Sequence, residues 1–351
     1  MQANTQRLMD GELGQWLDAQ ASMRAEAKEK ASTRWLYGGI GAIVVWALLV
    51  FTGFMFSSIG LFLALGAGGA AYGWGYMVIA EAKKDIKTGI NEAIAADLGI
   101  SYQHDVEPGG EYRNARTYGL LPSNDRKNFE DRWFGQLEGH DFSLYEAHLE
   151  ERRGSGKNRR WVTVFRGAII NMGFGRDFHS TTLLQRKGKH KKWFGLGGRA
   201  DHAKFDGHQL DFVDQVHPDF EDVFEVWSDD QVEARVLIHP SYVEHLMALE
   251  RVFNGKAVRA LFHRGEVVVT VESGNLFESG TMDASKDHAM VAKTAEQFSA
   301  MARLATAINQ NERGRVLNKK PERVESKAPP ITETARDKAR PAPGGFGRKG
   351  L

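Results

Sequence analysis

Residues 225–246 read EVWSDDQVEARVLIHPSYVEHL, a stretch that gathers Ser228, Asp229, Asp230, Glu233, Arg235, His239, Ser241 and His245. Side chains of these types carry general acid–base chemistry when two of them face one reacting group. The same types also punctuate helix ends. Ser228 with Gln231 three residues later has the Ser-x-x-Gln pattern of a capping box, and the two aspartates fall in the first turn, where the helix dipole favours negative charge. After Pro240, Ser241 and Glu244 repeat that pattern at the start of a second helix. Every acid here except Glu233 thus has structural employment. The block Ser228, Asp229, Asp230, Glu233 and Arg235 reads first as helix punctuation. The rival reading is a hydrolase-like enzyme at a membrane surface, drawing acid, base or ligand from Asp229, Asp230, Arg235 and His239.

Other candidate chemistry is thinner. Asp201, His202, Asp206, His208, Asp211, Asp214, His217 and Asp219 are numerous enough to bind a divalent metal. On an alternating strand, however, 206 and 208 share a face that 211 does not, and no known metal-loop spacing appears, so no metal site is expected. There is no cysteine, which excludes disulfides, thiolate zinc sites and thiol catalysis. No phosphate loop, dinucleotide fingerprint or nucleophile elbow is present, and nothing calls for a cofactor.

The clearest element lies elsewhere. From Trp35 to Ala80 there is not one Asp, Glu, Lys or Arg. One straight helix of that length would run about 69 Å, more than twice the roughly 30 Å hydrocarbon core of a bilayer. The run must turn back. GFMFSSIG, with Gly53, Ser57, Ser58 and Gly60, is where the helix weakens, leaving transmembrane spans at 35–56 and 59–80 within a hairpin at 35–81. Arg7, Arg24, Lys28, Lys30 and Arg34 precede it, Lys83, Lys84 and Lys87 follow, and the turn has no cation. That asymmetry predicts a multi-pass membrane protein with both termini cytoplasmic. Gly66, Gly69 and Gly73 are expected to pack the two spans, or to join copies in a homo-oligomer.

Around the hairpin, residues 1–34 predict a short cytoplasmic helical segment. Ile86, Ile90, Ile94 and Leu98 recur every fourth residue, predicting a helical stalk over 82–104. The stretch 99–132 is rich in turn residues and poor in strand signals. From 133 the period becomes that of strands, and the expected fold is α+β over 105–310: an antiparallel sheet or open barrel with flanking helices. Helices are predicted over 229–254 and from Lys286 to Asn309, with a hairpin between them turning at Arg264 and Gly265. From 311 to 351 the composition predicts a disordered basic tail. Arg313 to Leu351 holds eleven Lys and Arg against four acids, a net +7, which leaves about −6 for the rest of a chain whose formal charge is +1.

Arg186, Lys187, Lys189, Lys191 and Lys192 run into Trp193 and Phe194. A basic loop tipped with aromatics suits an anionic membrane surface or a protein partner. Nucleic acid is not expected, since the body is acidic and lacks a recognition motif.

FEVWSDDQVEARVLIHPSYVEHL, followed by LFHRGEVVVTVESGNLFES and preceded by VFRGAIINMGF, resembles the bacterial membrane proteins grouped as DUF3137. The resemblance covers about 130–280 and the double span, and Ser-Asp-Asp-Gln-Val-Glu-Ala-Arg is its most specific part. It implies a membrane-tethered cytoplasmic module without an assigned activity, working beside LemA-like membrane proteins. It transfers no catalytic residue. The function expected from all this is an interaction or scaffold module at the inner membrane.

Overall fold

The computed structural model describes residues 5–137, 139–175, 177–188, 200–214 and 221–309. They divide into two compact units, one of residues 94–277 with 293–309, the other of residues 5–93 with 278–292.

In the second unit, α1 (Thr5–Asp10) is followed by α2 (Glu12–Phe51) and α3 (Ser58–Leu98), both long and apolar enough to cross a membrane. Most of the helical segment expected over 1–34 and the first span run together as one continuous α2. The turn falls at the predicted place and for a local reason. Gly53, at φ +70°, adopts the left-handed conformation that closes a helix, a 3-10 turn spans Phe54–Phe56, and the Ser57 hydroxyl accepts the Gly60 amide at 3.0 Å to open α3. A Cβ on Gly60 would lie 2.1 Å from the Phe54 carbonyl oxygen, so only glycine fits there.

The two helices do not pack through the expected glycines. Nothing lies within 4 Å of a Cβ placed on Gly66, Gly69 or Gly73. The close approaches are elsewhere: a Cβ on Gly38 would meet Ala71 at 3.0 Å, one on Gly75 the Trp35 ring at 2.2 Å, and one on Gly89 the Trp16 ring at 2.2 Å. Trp35 also donates its indole N–H to the Tyr72 carbonyl at 3.0 Å. Large aromatics facing glycines set the helix spacing here. The Arg24 guanidinium donates to Asp287 at 2.8 Å, and Lys87 to Glu278 at 2.9 Å.

The first unit is built on an open, wholly antiparallel ten-stranded sheet in the order β1-β2-β3-β4-β10-β9-β5-β8-β7-β6. Its strands are β1 (Ser101–Asp105), β2 (Arg126–Leu137), β3 (His140–Arg153), β4 (Arg160–Gly173), β5 (Thr182–Arg186), β6 (His202–Phe205), β7 (His208–Val213), β8 (Phe224–Ser228), β9 (Lys256–His263) and β10 (Glu266–Glu272). Helices α4 (Gly110–Thr117), α5 (Gln231–Leu237), α6 (Pro240–Val252) and α7 (Asp287–Ile308) and short 3-10 turns at Gly156–Asn158 and Ala284–Lys286 complete the described elements. The sheet is the antiparallel alternative of the prediction, and it does not close into a barrel.

Period-two alternation gives the sheet two apolar faces. One collects Tyr145, Ala147, Phe165, Ile169, Leu183, Trp227, Leu261 and Val268 with Ala115 and Tyr118. The other presents Val267, Val269, Phe262 and Trp133, and here the Trp133 ring packs on Phe298, Phe277 and Tyr102. The stalk is shorter than expected. α3 stops at Leu98, Gly99 takes φ +69°, and 101–105 is an edge strand rather than helix. Its polar sequence SYQHD is held by Asp131, which accepts from Tyr102 at 2.6 Å and meets His104 at 3.1 Å.

Candidate functional site

The opening constellation lies where β8 passes into α5. β8 remains a strand through Ser228 because Ser228 pairs with Thr182 of β5. Ser228 is therefore not the helix cap. Asp230 is, with Oδ1 accepting the amides of Val232 at 2.9 Å and Glu233 at 3.0 Å. The Ser228 hydroxyl is buried and closes a row of hydroxyls, 2.9 Å from Thr182 Oγ1, which in turn is 3.1 Å from Ser180 Oγ.

Asp229 reaches across to β5, where its Oδ1 accepts the Thr181 amide at 2.8 Å while its own amide donates to the Thr181 carbonyl at 3.3 Å. Glu233, the acid that the sequence left unemployed, accepts the amides of His179 at 3.0 Å and Ser180 at 2.6 Å. Burial pushes its carboxyl up, but the bonds from Ser180 and His179 outweigh this and hold it below the usual carboxylate range. Asp229 and Glu233 together thus satisfy three consecutive amides of a segment that has no ladder partner for them. Arg235 donates Nε–H to the Asp214 carbonyl at 3.0 Å.

The second cap also differs from expectation. His239, not Ser241, precedes α6, its Nδ1 accepting the Ser241 amide at 3.3 Å, with Pro240 in the first turn, where a missing N–H costs nothing. One pairing escaped the sequence reading altogether: Thr181 Oγ1 lies 3.0 Å from His263 Nδ1. Burial, Arg264 and His208 depress the His263 pKa below 6.5, against the pull of Asp229, so the ring is neutral at neutral pH. A hydroxyl beside a neutral imidazole is a nucleophile–base pair in type. Thr181 is buried, however, and its hydroxyl joins the segment before β5 to the end of β9.

The carboxylates of the block thus point to different backbone amides and do not converge on a common point. Two expected outcomes follow for urea unfolding of the detergent-solubilised chain. Asp230→Ala is expected to cost about 1 kcal/mol as a lost cap. Glu233→Ala, which strands two amides, is expected to cost about 1–3 kcal/mol. An Asp230→Asn variant as stable as the parent is the matching control.

Of the basic loop, Arg186 is tied to Glu250 and stacks 4.7 Å from the Phe224 centroid, and Lys187 meets Asp222 at 3.4 Å. Lys189, Lys191, Lys192, Trp193, Phe194 and the tail from 311 lie outside the described residues. Among the described residues no three His, Asp or Glu gather as a metal site. His202 instead pairs with Asp211 at 2.6 Å, and His217 and Asp219 also fall outside.

Residues 163–310 match the family model for "Protein of unknown function (DUF3137)". The match begins in β4 and runs through α7, so it contains the Ser-Asp-Asp-Gln block and omits β1–β3 and the apolar helices. No curated protein matches the chain in sequence. Among solved structures, the crystal structure of the mycobacterial trehalose monomycolate transport factor A, TtfA, is similar with a TM-score of 0.30 and 10% identity, over 63% of this chain and 95% of that one.

Proposed function

We propose that this chain is a multi-pass protein of the bacterial inner membrane, both termini cytoplasmic, whose sheet domain is an interaction or scaffold module for a protein partner. A LemA-like membrane protein is one such partner, and anionic lipid at the cytoplasmic face is the other ligand that the basic segments suit. The supporting observation is the surface of α2 and α3. Phe51 at the end of α2 is 90% exposed and Phe62 in α3 74%, and Ile43 and Leu65 are exposed as well. Nothing in the most apolar window of α2, and only 6% of that of α3, is buried. Exposed apolar surface on this scale is stable in lipid and not in water. Cations flank the apolar run on both sides and are absent from its turn, which supports the orientation.

The absence of cysteine makes the test clean. Single cysteines at Met55 and at Asp206 are to be labelled in intact cells with a membrane-impermeant maleimide. The proposal expects position 55 to react from outside and 206 only after lysis. Equal labelling of both in intact cells, or release of the chain by alkaline carbonate, would sink it.

A further inference from the structure

β2, β3 and β4 end together in a cluster of cations. Arg126 and Lys127 open β2, Arg152 and Arg153 close β3, and Lys157, Arg159 and Arg160 carry the chain into β4. Every residue from Arg152 to Trp161 is exposed, as are Arg126 and Lys127. Against these seven cations stand three acids, Asp125, Glu150 and Glu151. Two of the acids are occupied, since Asp125 accepts the Arg152 amide at 2.8 Å and Glu151 pairs with Arg153 at 2.8 Å. Among the described residues, the side chains of Arg152, Lys157, Arg159 and Arg160 have no acid within reach.

Trp161, 37% exposed, lies beneath the Arg126 guanidinium, 3.7 Å from ring centroid to carbon. Register sets the whole group at one end of the sheet, because Arg126 pairs with Glu150 and Arg153 with Arg160. The chain arrives at the other end: Ser101 pairs with Phe134, roughly 27 Å further along β2 at about 3.4 Å per residue. Beside the cluster, a cavity of about 410 Å³ opens between Thr163, Arg166, Lys256 and Ser273.

We propose that this hairpin tip, Arg126 with Arg152–Trp161, is the docking surface for an acidic segment of a protein partner. The proposal rests on the interaction-module reading and names where that module binds and what it takes. Two features select protein over other anions. Carboxylates are interleaved with the cations, which suits a surface of mixed polar chemistry and opposes a uniform polyanion. Trp and Arg stacked together are the residue types that carry binding energy at protein interfaces.

The test uses the full chain in phosphatidylcholine nanodiscs and a fluorescein-labelled Glu/Asp-rich peptide carrying spaced leucines, read by anisotropy. Reversal of the unpaired cations (Lys157→Glu, Arg159→Glu and Arg160→Glu together) is expected to weaken binding tenfold or more without lowering the melting temperature. Trp161→Ala, which changes no charge, is expected to weaken it severalfold. Peptide binding unchanged by the reversal overturns the proposal. So does stronger binding to phosphatidylserine vesicles or to a single-stranded oligonucleotide that the reversal abolishes, since the occupant is then lipid or nucleic acid. Lysine-reactive crosslinking in native membranes separates the two levels: a protein partner still captured by the reversed variant leaves the module reading standing and removes only the tip.

Discussion

Arg24→Leu is expected to destabilise the full chain by about 3–5 kcal/mol, because it leaves a buried carboxylate without its counter-charge. The Arg24 and Asp287 side chains are 4% and 5% exposed, and the guanidinium donates to Oδ1 at 2.8 Å. Burial already holds the Asp287 carboxyl above its ordinary 3.8, against the hydrogen bond and charge of Arg24 that favour ionisation. Removing Arg24 raises it further. An acid whose folded pKa lies above its unfolded value destabilises the fold above that folded pKa, and the loss is relieved as pH falls through it. The deficit of Arg24→Leu is therefore expected to be larger at pH 8 than at pH 5 in urea unfolding of the detergent-solubilised protein. The double variant Arg24→Leu with Asp287→Leu should recover most of the loss, since neither charge is then buried alone. Equal losses in the single and double variants would mean that packing, not charge pairing, sets the cost.

Trp133→Ala is expected to cost a similar 3–5 kcal/mol by opening a cavity that the rigid sheet cannot collapse. The ring is fully buried, with centroids of Phe298 at 4.3 Å, Tyr102 at 4.9 Å and Phe277 at 5.2 Å. Its indole nitrogen has no hydrogen-bond partner among the described residues. Trp133→Phe thus loses volume but no hydrogen bond and is expected to recover more than half of the stability. A Phe variant as damaged as the Ala variant would contradict that account. Combining Trp133→Ala with Phe298→Ala should cost less than the sum of the two, because the rings share one contact.

The apolar helices and their turn were legible because each signal is local. An unbroken run without charge sets the helices, and a glycine able to take positive φ followed by a capping serine sets the reversal. The hairpin β9–β10 was legible for the same reason, with alternating aliphatics on either side of Arg264-Gly265. What stayed hidden depends on partners distant in sequence. SYQHD holds no aliphatic residue and becomes a strand only because β2 pairs with it and Asp131 receives Tyr102. The cap moved from Ser228 to Asp230 because Thr182, 46 positions away, keeps Ser228 in the sheet. Glu233 gained its role from His179 and Ser180, more than fifty positions away.

Glycine spacing alone could not say which face of α3 meets α2. Gly75 and Gly89 do so because Trp35 and Trp16 stand opposite them, whereas Gly66, Gly69 and Gly73 face outward. The rival enzyme reading also depended on what lies opposite. Asp229, Asp230 and Glu233 already accept backbone amides, and catalysis would have to draw on carboxylates that hold the fold together.

The most direct test of the central claim is crosslinking with mass spectrometry in native membranes, comparing the full chain with one ended after Asn311. An anchored interaction module predicts one dominant protein partner, captured through the sheet domain and weakened if the basic tail contributes to recognition. Recovery of lipid adducts and self-crosslinks alone, unchanged by truncation, would contradict the account.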